Sequence, residues 1–477
     1  MLTTQFNKIY PQYLLLLLCL FSFYDLQAAP TEKKEITPAQ LEIIDREHQQ
    51  FSSHFHTELI RQAGKRLTQY EDVKSLEQSV KGHTGKSRDI LAINLIIKNI
   101  PMLRNNYDNF AIYSFIKILL DRNEWHTAKL LFDILQNEGD RTLVSNAAYL
   151  FAVFSFQRDN WQQTLIYLEG IITDLPGEDY HHALLIKGIS LQRLTKHREA
   201  MPEYQKIPAS SKYYISAQLN MAIANIRQGW WSDGHLILSR ALKHPDISDQ
   251  EESINRLYLT MGYSFLNQEY YRNSREAFRN ISQTSEYTNQ ALLGLALTAA
   301  NQEDYIGALN ATRILKDKKN HDLSVDEAYL LMPYFYEKLK QHTTASAGYS
   351  EAISYYQGRI AAIQSILQSG ISITPDSFQI KPTIELVINE NEIDFSYHYP
   401  DYFIKNYLTI ETYRPYLTRV NNQKLNTEYE LLKKEYEATI TKMAHRILNK
   451  RIEHLNSYMD QARFGVARLY DNNLVTQ

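Results

Sequence analysis

Asn123–Leu135 reads NEWHTAKLLFDIL, and Asp159–Ile171 reads DNWQQTLIYLEGI. Both carry a ring side chain followed three positions later by a small residue. The same frame returns in TKHREAMPEYQKI, GWWSDGHLILSRAL, EYYRNSREAFRNI, EDYIGALNATRIL and KQHTTASAGYSEAI. The rings are Trp125, Trp161, His197, Trp231, Tyr271, Tyr305 and His342. Their small partners are Ala128, Thr164, Ala200, Gly234, Ser274, Ala308 and Ala345, at successive gaps of 36, 36, 34, 40, 34 and 37 residues. Self-similarity at this period is the mark of a repeat architecture.

Twelve residues before the small partner, the five central units carry a second small residue: Ala152, Gly188, Ala222, Gly262 and Ala296. The outer two carry Ile116 and Pro333, as a stacked array allows where a unit has one neighbour only. Four residues after the small partner come Phe132, Leu168, Tyr204, Leu238, Phe278, Thr312 and Tyr349. Spacings of three and four trace one helix face. Each unit is therefore expected to be two antiparallel helices joined by a short turn. Helix axes approach to ~8–10 Å only where the side chains at the crossing are small, which explains the paired small residues.

This small–twelve–small pattern with flanking rings resembles the tetratricopeptide repeat, in the form found in exported bacterial proteins. The resemblance covers about half of the chain and departs from the usual pattern at Lys187 and Thr312. It implies an all-α, TPR-like helical-hairpin solenoid, a right-handed superhelix, ending here in a long C-terminal amphipathic helix. It also implies that the first helix of each unit lines a concave groove. The corresponding positions are Tyr149, Val153, Leu185, Ile189, Leu219, Ile223, Leu259, Tyr263, Leu293, Leu297, Leu330 and Tyr334. An apolar groove of this kind suits an amphipathic helix or an extended apolar segment of a partner. The protein's own C-terminal helix is a second candidate occupant, and burial by tight stacking is the plain alternative.

The flanks divide the rest of the chain. Residues 1–28 read as a secretory signal: Lys8, the apolar run YLLLLLCLFSFY (Tyr13–Tyr24), then small residues ending at Ala28. The run falls short of the ~20 apolar residues that span a bilayer. Residues 29–105 form an N-terminal helical capping region, 106–357 the repeats, about seven of them, and 358–420 an irregular connection with β-branched alternation such as IELVI. A helix of about 40 residues is expected over 421–477, from apolar residues at spacings of three and four. That helix packs on the array or serves as a coiled-coil dimerisation arm.

No catalytic frame emerges. VKGHTGKSRD (Val80–Asp89) resembles a phosphate-binding loop, but that motif needs a glycine five residues before Gly85, where Val80 stands. A turn is expected instead, with Thr84 or Ser87 capping the next helix. HExxH and GxSxG motifs are missing, and the 15 histidines are scattered, with His54–His56 and His181–His182 the only close groups. The single cysteine, Cys19, lies in the signal, so the mature chain has no thiol chemistry. A net charge of −3 is too weak to point to nucleic acid or anionic lipid.

The sequence therefore suggests a periplasmic, non-catalytic scaffold or assembly factor of the cell envelope, without cofactor or metal. Its partner would be another envelope protein or peptide segment, with no nucleic acid and no membrane span after signal cleavage. A homodimer built on the C-terminal helix is the alternative, and a peptidoglycan-related envelope enzyme a lesser one.

Overall fold

The computed structural model describes residues 38–84, 89–107, 109–245, 250–318, 322–380, 384–388, 391–394 and 401–475. The expected export signal at 1–28 lies outside them. The chain divides into two compact units. An amino-terminal unit comprises Lys34–Tyr213 with Gly370–Ile447, and a carboxy-terminal unit comprises Tyr214–Ser369 with the chain from Leu448 onward.

In the amino-terminal unit, α1 (Pro38–Ala63), α2 (Val73–His83), α3 (Asp89–Lys98) and α4 (Ile100–Arg104) precede three helical hairpins. These are α5/α6 (Ala111–Asp121, Trp125–Glu138), α7/α8 (Arg141–Phe156, Trp161–Leu168) and α9/α10 (Gly177–Arg193, His197–Gln205). The carboxy-terminal unit holds four more: α11/α12 (Tyr214–Arg227, Trp231–Ala241), α13/α14 (Glu251–Asn267, Tyr271–Arg279), α15/α16 (Thr288–Asn301, Tyr305–Lys316) and α17/α18 (Leu323–Lys338, His342–Ser369). Then follow β1 (Phe378–Ile380), β2 (Ile384–Ile388), β3 (Asn391–Asp394), α19 (Asp401–Ile410), α20 (Arg414–Val420) and α21 (Gln423–Val475). The molecule is a TPR-like array of helical hairpins with a long terminal helix.

One backbone device builds every hairpin. Two residues before each ring, the chain turns left-handed: Asn123, Asp159, Thr195, Glu269, Glu303 and Lys340 have φ between 55° and 64°, and Gly229 has φ 81°. The next N–H reaches back five residues, as from Glu124 to the Leu119 carbonyl (2.8 Å), Lys196 to Leu191 (2.8 Å) and Gln341 to Tyr336 (2.9 Å). This ties off the first helix by satisfying its last carbonyls, in the Schellman manner. Only one of the seven positions holds glycine, so six turns carry a left-handed cost of roughly 1–2 kcal/mol each that packing must offset.

That packing occurs at the helix crossings. The small partners Ala128, Thr164, Ala200, Ser274, Ala308 and Ala345 have no exposed surface. Rings four residues on insert beside the opposing helix. A Cβ on Gly188 would lie 2.4 Å from the Tyr204 ring, and one on Gly262 would lie 2.5 Å from Phe278. Ser274 also donates across the crossing to the Gly262 carbonyl (2.9 Å). The two departures from the repeat pattern are accommodated locally. Lys187 pairs with Glu203 (2.8 Å), and buried Thr312 donates to the carbonyls of its own helix.

Several expectations need correction. α18 runs on to Ser369 instead of ending near 357. The connection at 358–420 is not irregular: β1, β2 and β3 form an antiparallel meander in which Leu386 pairs with Phe378 on one side and Ile393 on the other. The IELVI alternation supplies the central strand, and Leu386 is fully buried. Among the described residues the fold is thus helical apart from this small sheet. α21 extends over 53 residues. Ala444 and Leu448 are among the buried residues midway along it. At the GHTGKS stretch, Gly82 lies inside α2, and Thr84 donates to the Lys81 carbonyl (2.8 Å), closing α2 instead of opening α3. Ser87 lies outside the described residues.

Candidate functional site

Of the twelve expected groove positions, seven are closed to solvent and five keep part of their surface open. Tyr149, Leu185, Leu219, Ile223, Leu293, Leu297 and Leu330 are buried, and Val153, Ile189, Leu259, Tyr263 and Tyr334 are half-buried. Tyr149 reaches His182 (2.7 Å), and Tyr263 donates to the Gln290 carbonyl (2.8 Å) while meeting Phe278 edge-on. Tyr149 and Tyr263 thus spend their hydroxyls on the neighbouring hairpin of their own unit.

In the amino-terminal unit, polar side chains converge on the first repeat turn. Glu124 accepts from Ser52 and from Tyr413 (2.9 Å), and its carboxylate lies 3.2 Å from His56 Nε2. His56 Nδ1 meets Asn94 (3.1 Å), His48 meets the Tyr436 hydroxyl (3.0 Å), and Asp45 accepts from the Trp125 indole (3.2 Å). Burial raises the Glu124 carboxyl, but His56, Ser52 and His48 outweigh it and hold the acid below its usual range. Burial lowers His48 despite nearby Glu124 and Asp45. Glu124, His56 and Ser52 are each at most 3% exposed, so this serine–histidine–carboxylate trio holds α1 and the 401–447 segment onto the turn. The trace of it in the sequence is a polar stripe on α1 (Asp45, His48, Gln49, Ser52, His56) at helical spacing.

In the carboxy-terminal unit, α21 closes the array. Gly465 sits against the Tyr349 ring of the seventh hairpin, as Gly294 of the sixth sits against Phe278 of the fifth. The last part of α21 thus stands where the first helix of an eighth hairpin would. Arg468 grips Glu337 with two bonds (2.9 and 2.6 Å), Arg451 pairs with Asp326, and Tyr458 meets Tyr356 at 5.9 Å between centroids. Leu455, Met459, Ala462 and Leu469 are buried by this packing, as expected of a helix packed on the array and not of a free arm.

The close histidine pairs have local partners: His54 meets Glu428 (3.1 Å) and His181 meets Glu178 (3.3 Å). Among the described residues no three metal-ligating side chains come together, and no helix is long and apolar enough to cross a membrane. Among the described residues, a solvent-facing cleft of about 340 Å³ lies at the fourth and fifth repeat turns. Trp230, Trp231, Asp233, His235, Gln268 and Tyr270 line it. Trp230 is 41% and Tyr270 57% exposed, the latter braced edge-on by Phe265. His235 is held by Ser264 (2.7 Å), and burial lowers its pKa, which leaves Asp233 as the charged group of the lining.

No protein-family model matches the chain, and no curated protein matches it. Among solved structures, aspartyl phosphate phosphatase F from Bacillus subtilis is 13% identical, covering 74% of this chain and all of that one, at a TM-score of 0.36. The P58(IPK) TPR domain is 14% identical, covering 64% of this chain and 98% of its own, at 0.23. The Cut9–Hcn1 assembly of the APC/C is 13% identical, covering 83% and 74%, at 0.28. Likenesses this loose carry no assignment. The repeat class rests on the seven turns and crossings of the chain itself.

Proposed function

We propose that this chain is a non-catalytic scaffold or assembly factor of the bacterial cell envelope, and that it anchors a protein partner at the Trp230–Tyr270 cleft. The observation that carries this reading is the exposure of two large aromatic side chains on neighbouring repeat turns around a cleft of about 340 Å³. Aromatic anchors in such clefts supply most of the energy of many interfaces. With Asp233 as the charged lining residue, the fitting partner segment offers a basic side chain to the carboxylate and the ring faces. The secretory pattern at 1–28 supports the envelope location. The half-buried groove positions Val153, Ile189, Leu259, Tyr263 and Tyr334 serve as secondary contacts at most.

A photoreactive residue placed at Tyr270 of the full chain tests this in envelope extracts. One discrete captured protein is expected, with capture lost on adding Trp230→Ala. Equal capture with and without that change, or capture only at Tyr263, overturns the cleft as anchor.

A further inference from the structure

Glu327 stands out among the buried groups. It is 1% exposed, and neither carboxylate oxygen has a hydrogen-bond partner. A buried ionised carboxylate without partners is too costly to persist, so such a group neutralises or gains water. Its surroundings come from three elements. On α17 its neighbour is Asp326, fully buried, with Asp322 a turn earlier. On α18, Tyr355 donates to Asp326 Oδ1 (2.7 Å), Tyr356 donates to the Asp326 carbonyl (2.7 Å), and Arg359 adds positive charge. On α21, Arg451 pairs with Asp326, burial and then the nearby Glu327 charge raise the Tyr458 phenol, and burial lowers His454.

We propose that the 448–475 part of α21 is a proton-sensitive cap, held on the seventh hairpin while Glu327 is a neutral acid and released when it ionises. Arg451 is matched to Asp326, so Glu327 has no cation of its own, and its charge would arise beneath the cap. Undocking α21 opens one wall of this pocket to water, which solvates the carboxylate. The same movement bares the Tyr349 face of α18, the surface on which Gly465 rests and a further helix can stack. The device is an autoinhibitory contact: the chain's own helix occupies a stacking surface until the proton leaves. Burial raises the Glu327 acid to about 8, which places the transition on the alkaline side of neutral. Asp326, which burial raises to about 6 while Arg451 pulls it down, ionises earlier and pairs with Arg451, so it is not the group that releases the cap.

Hydrogen exchange of the full chain across pH 6 to 8.5 tests the cap. Between the pKa of the exposed acid and that of the buried one, the opening constant rises about tenfold per pH unit. Amides of 448–475 are expected to lose protection by that factor beyond the intrinsic rise in exchange, while α16 stays protected. Glu327→Gln, which mimics the neutral acid, flattens the dependence, and Glu327→Leu does the same if the amide is poorly tolerated. Wild-type protection that is independent of pH, or a slope unchanged in both variants, overturns the proposal.

Discussion

Arg468 and Glu337 form a two-point ion pair, with Nε at 2.9 Å and Nη2 at 2.6 Å from the two carboxylate oxygens. The Tyr349 hydroxyl donates to the same carboxylate (3.0 Å). The long helix is thereby pinned to both helices of the seventh hairpin. Removal of either charge strands the other in a half-buried site. A double-mutant cycle of Arg468→Ala and Glu337→Ala, read by urea unfolding, is expected to give a coupling of about 1–2 kcal/mol. A coupling near zero would mean that the two side chains meet without holding the helix.

The repeat turns make a sharper demand on backbone geometry. Thr195 sits at φ 64°, where a side chain is strained, and Gly229 at φ 81°, where it is not. Thr195→Gly should be neutral or stabilising by up to ~1 kcal/mol, because relief of left-handed strain offsets the freedom glycine gains when unfolded. Gly229→Ala should cost about 1 kcal/mol. Thermal unfolding of the two variants checks the pair, and the opposite ordering would rule out the shared turn.

At the crossings, steric fit dominates. Gly262 faces the Phe278 ring so closely that an added Cβ would lie 2.5 Å away. Gly262→Ala is expected to destabilise by roughly 1–3 kcal/mol through overpacking. Phe278→Leu should recover part of that loss in the double variant, because the two changes share one space. Additive losses in the denaturation midpoints would place the ring elsewhere.

The two units should answer pH in opposite senses. Glu327 has a folded pKa near 8, above its ordinary 4.5, so the folded state keeps a proton that the unfolded chain releases. Its contribution is complete below pH ~4.5 and is lost as pH rises towards 8, up to roughly 5 kcal/mol by linkage. In the amino-terminal unit, Glu124 and His48 are both lowered on folding. Their contribution is present above the ordinary values and is lost as pH falls below them through the lowered, folded ones. Calorimetry from pH 4 to 9 should resolve this as two transitions, one weakened by acid and the other by base. Glu327→Gln should remove the alkaline loss alone. Parallel movement of both transitions would contradict the assignment.

The repeats were legible because their rules are local. The ring, the small residue and the inserted ring all fall within thirteen residues, and the same spacing recurs in every hairpin. The left-handed turns were hidden in plain view, since six of the seven carry no glycine to mark them. The polar hub was not legible. Tyr413 and Glu124 lie 289 positions apart, and no periodicity connects them. The small sheet was half visible in IELVI, but its outer strands are too short to announce themselves. The groove positions were correctly placed on the first helices, yet spacing does not tell a face that binds from a face that stacks. The binding candidate came instead from Trp230 and Tyr270, one position before each repeat ring, where the other five units carry Glu124, Asn160, Lys196, Asp304 and Gln341.

The scaffold reading stands or falls on a binding isotherm. The protein captured at Tyr270, once purified, should bind the intact chain, and Trp230→Ala with Tyr270→Ala should weaken that binding at least tenfold, about 1.4 kcal/mol, with the unfolding curve unchanged. An unaltered dissociation constant in the folded double variant would show that the cleft is not where the partner is held.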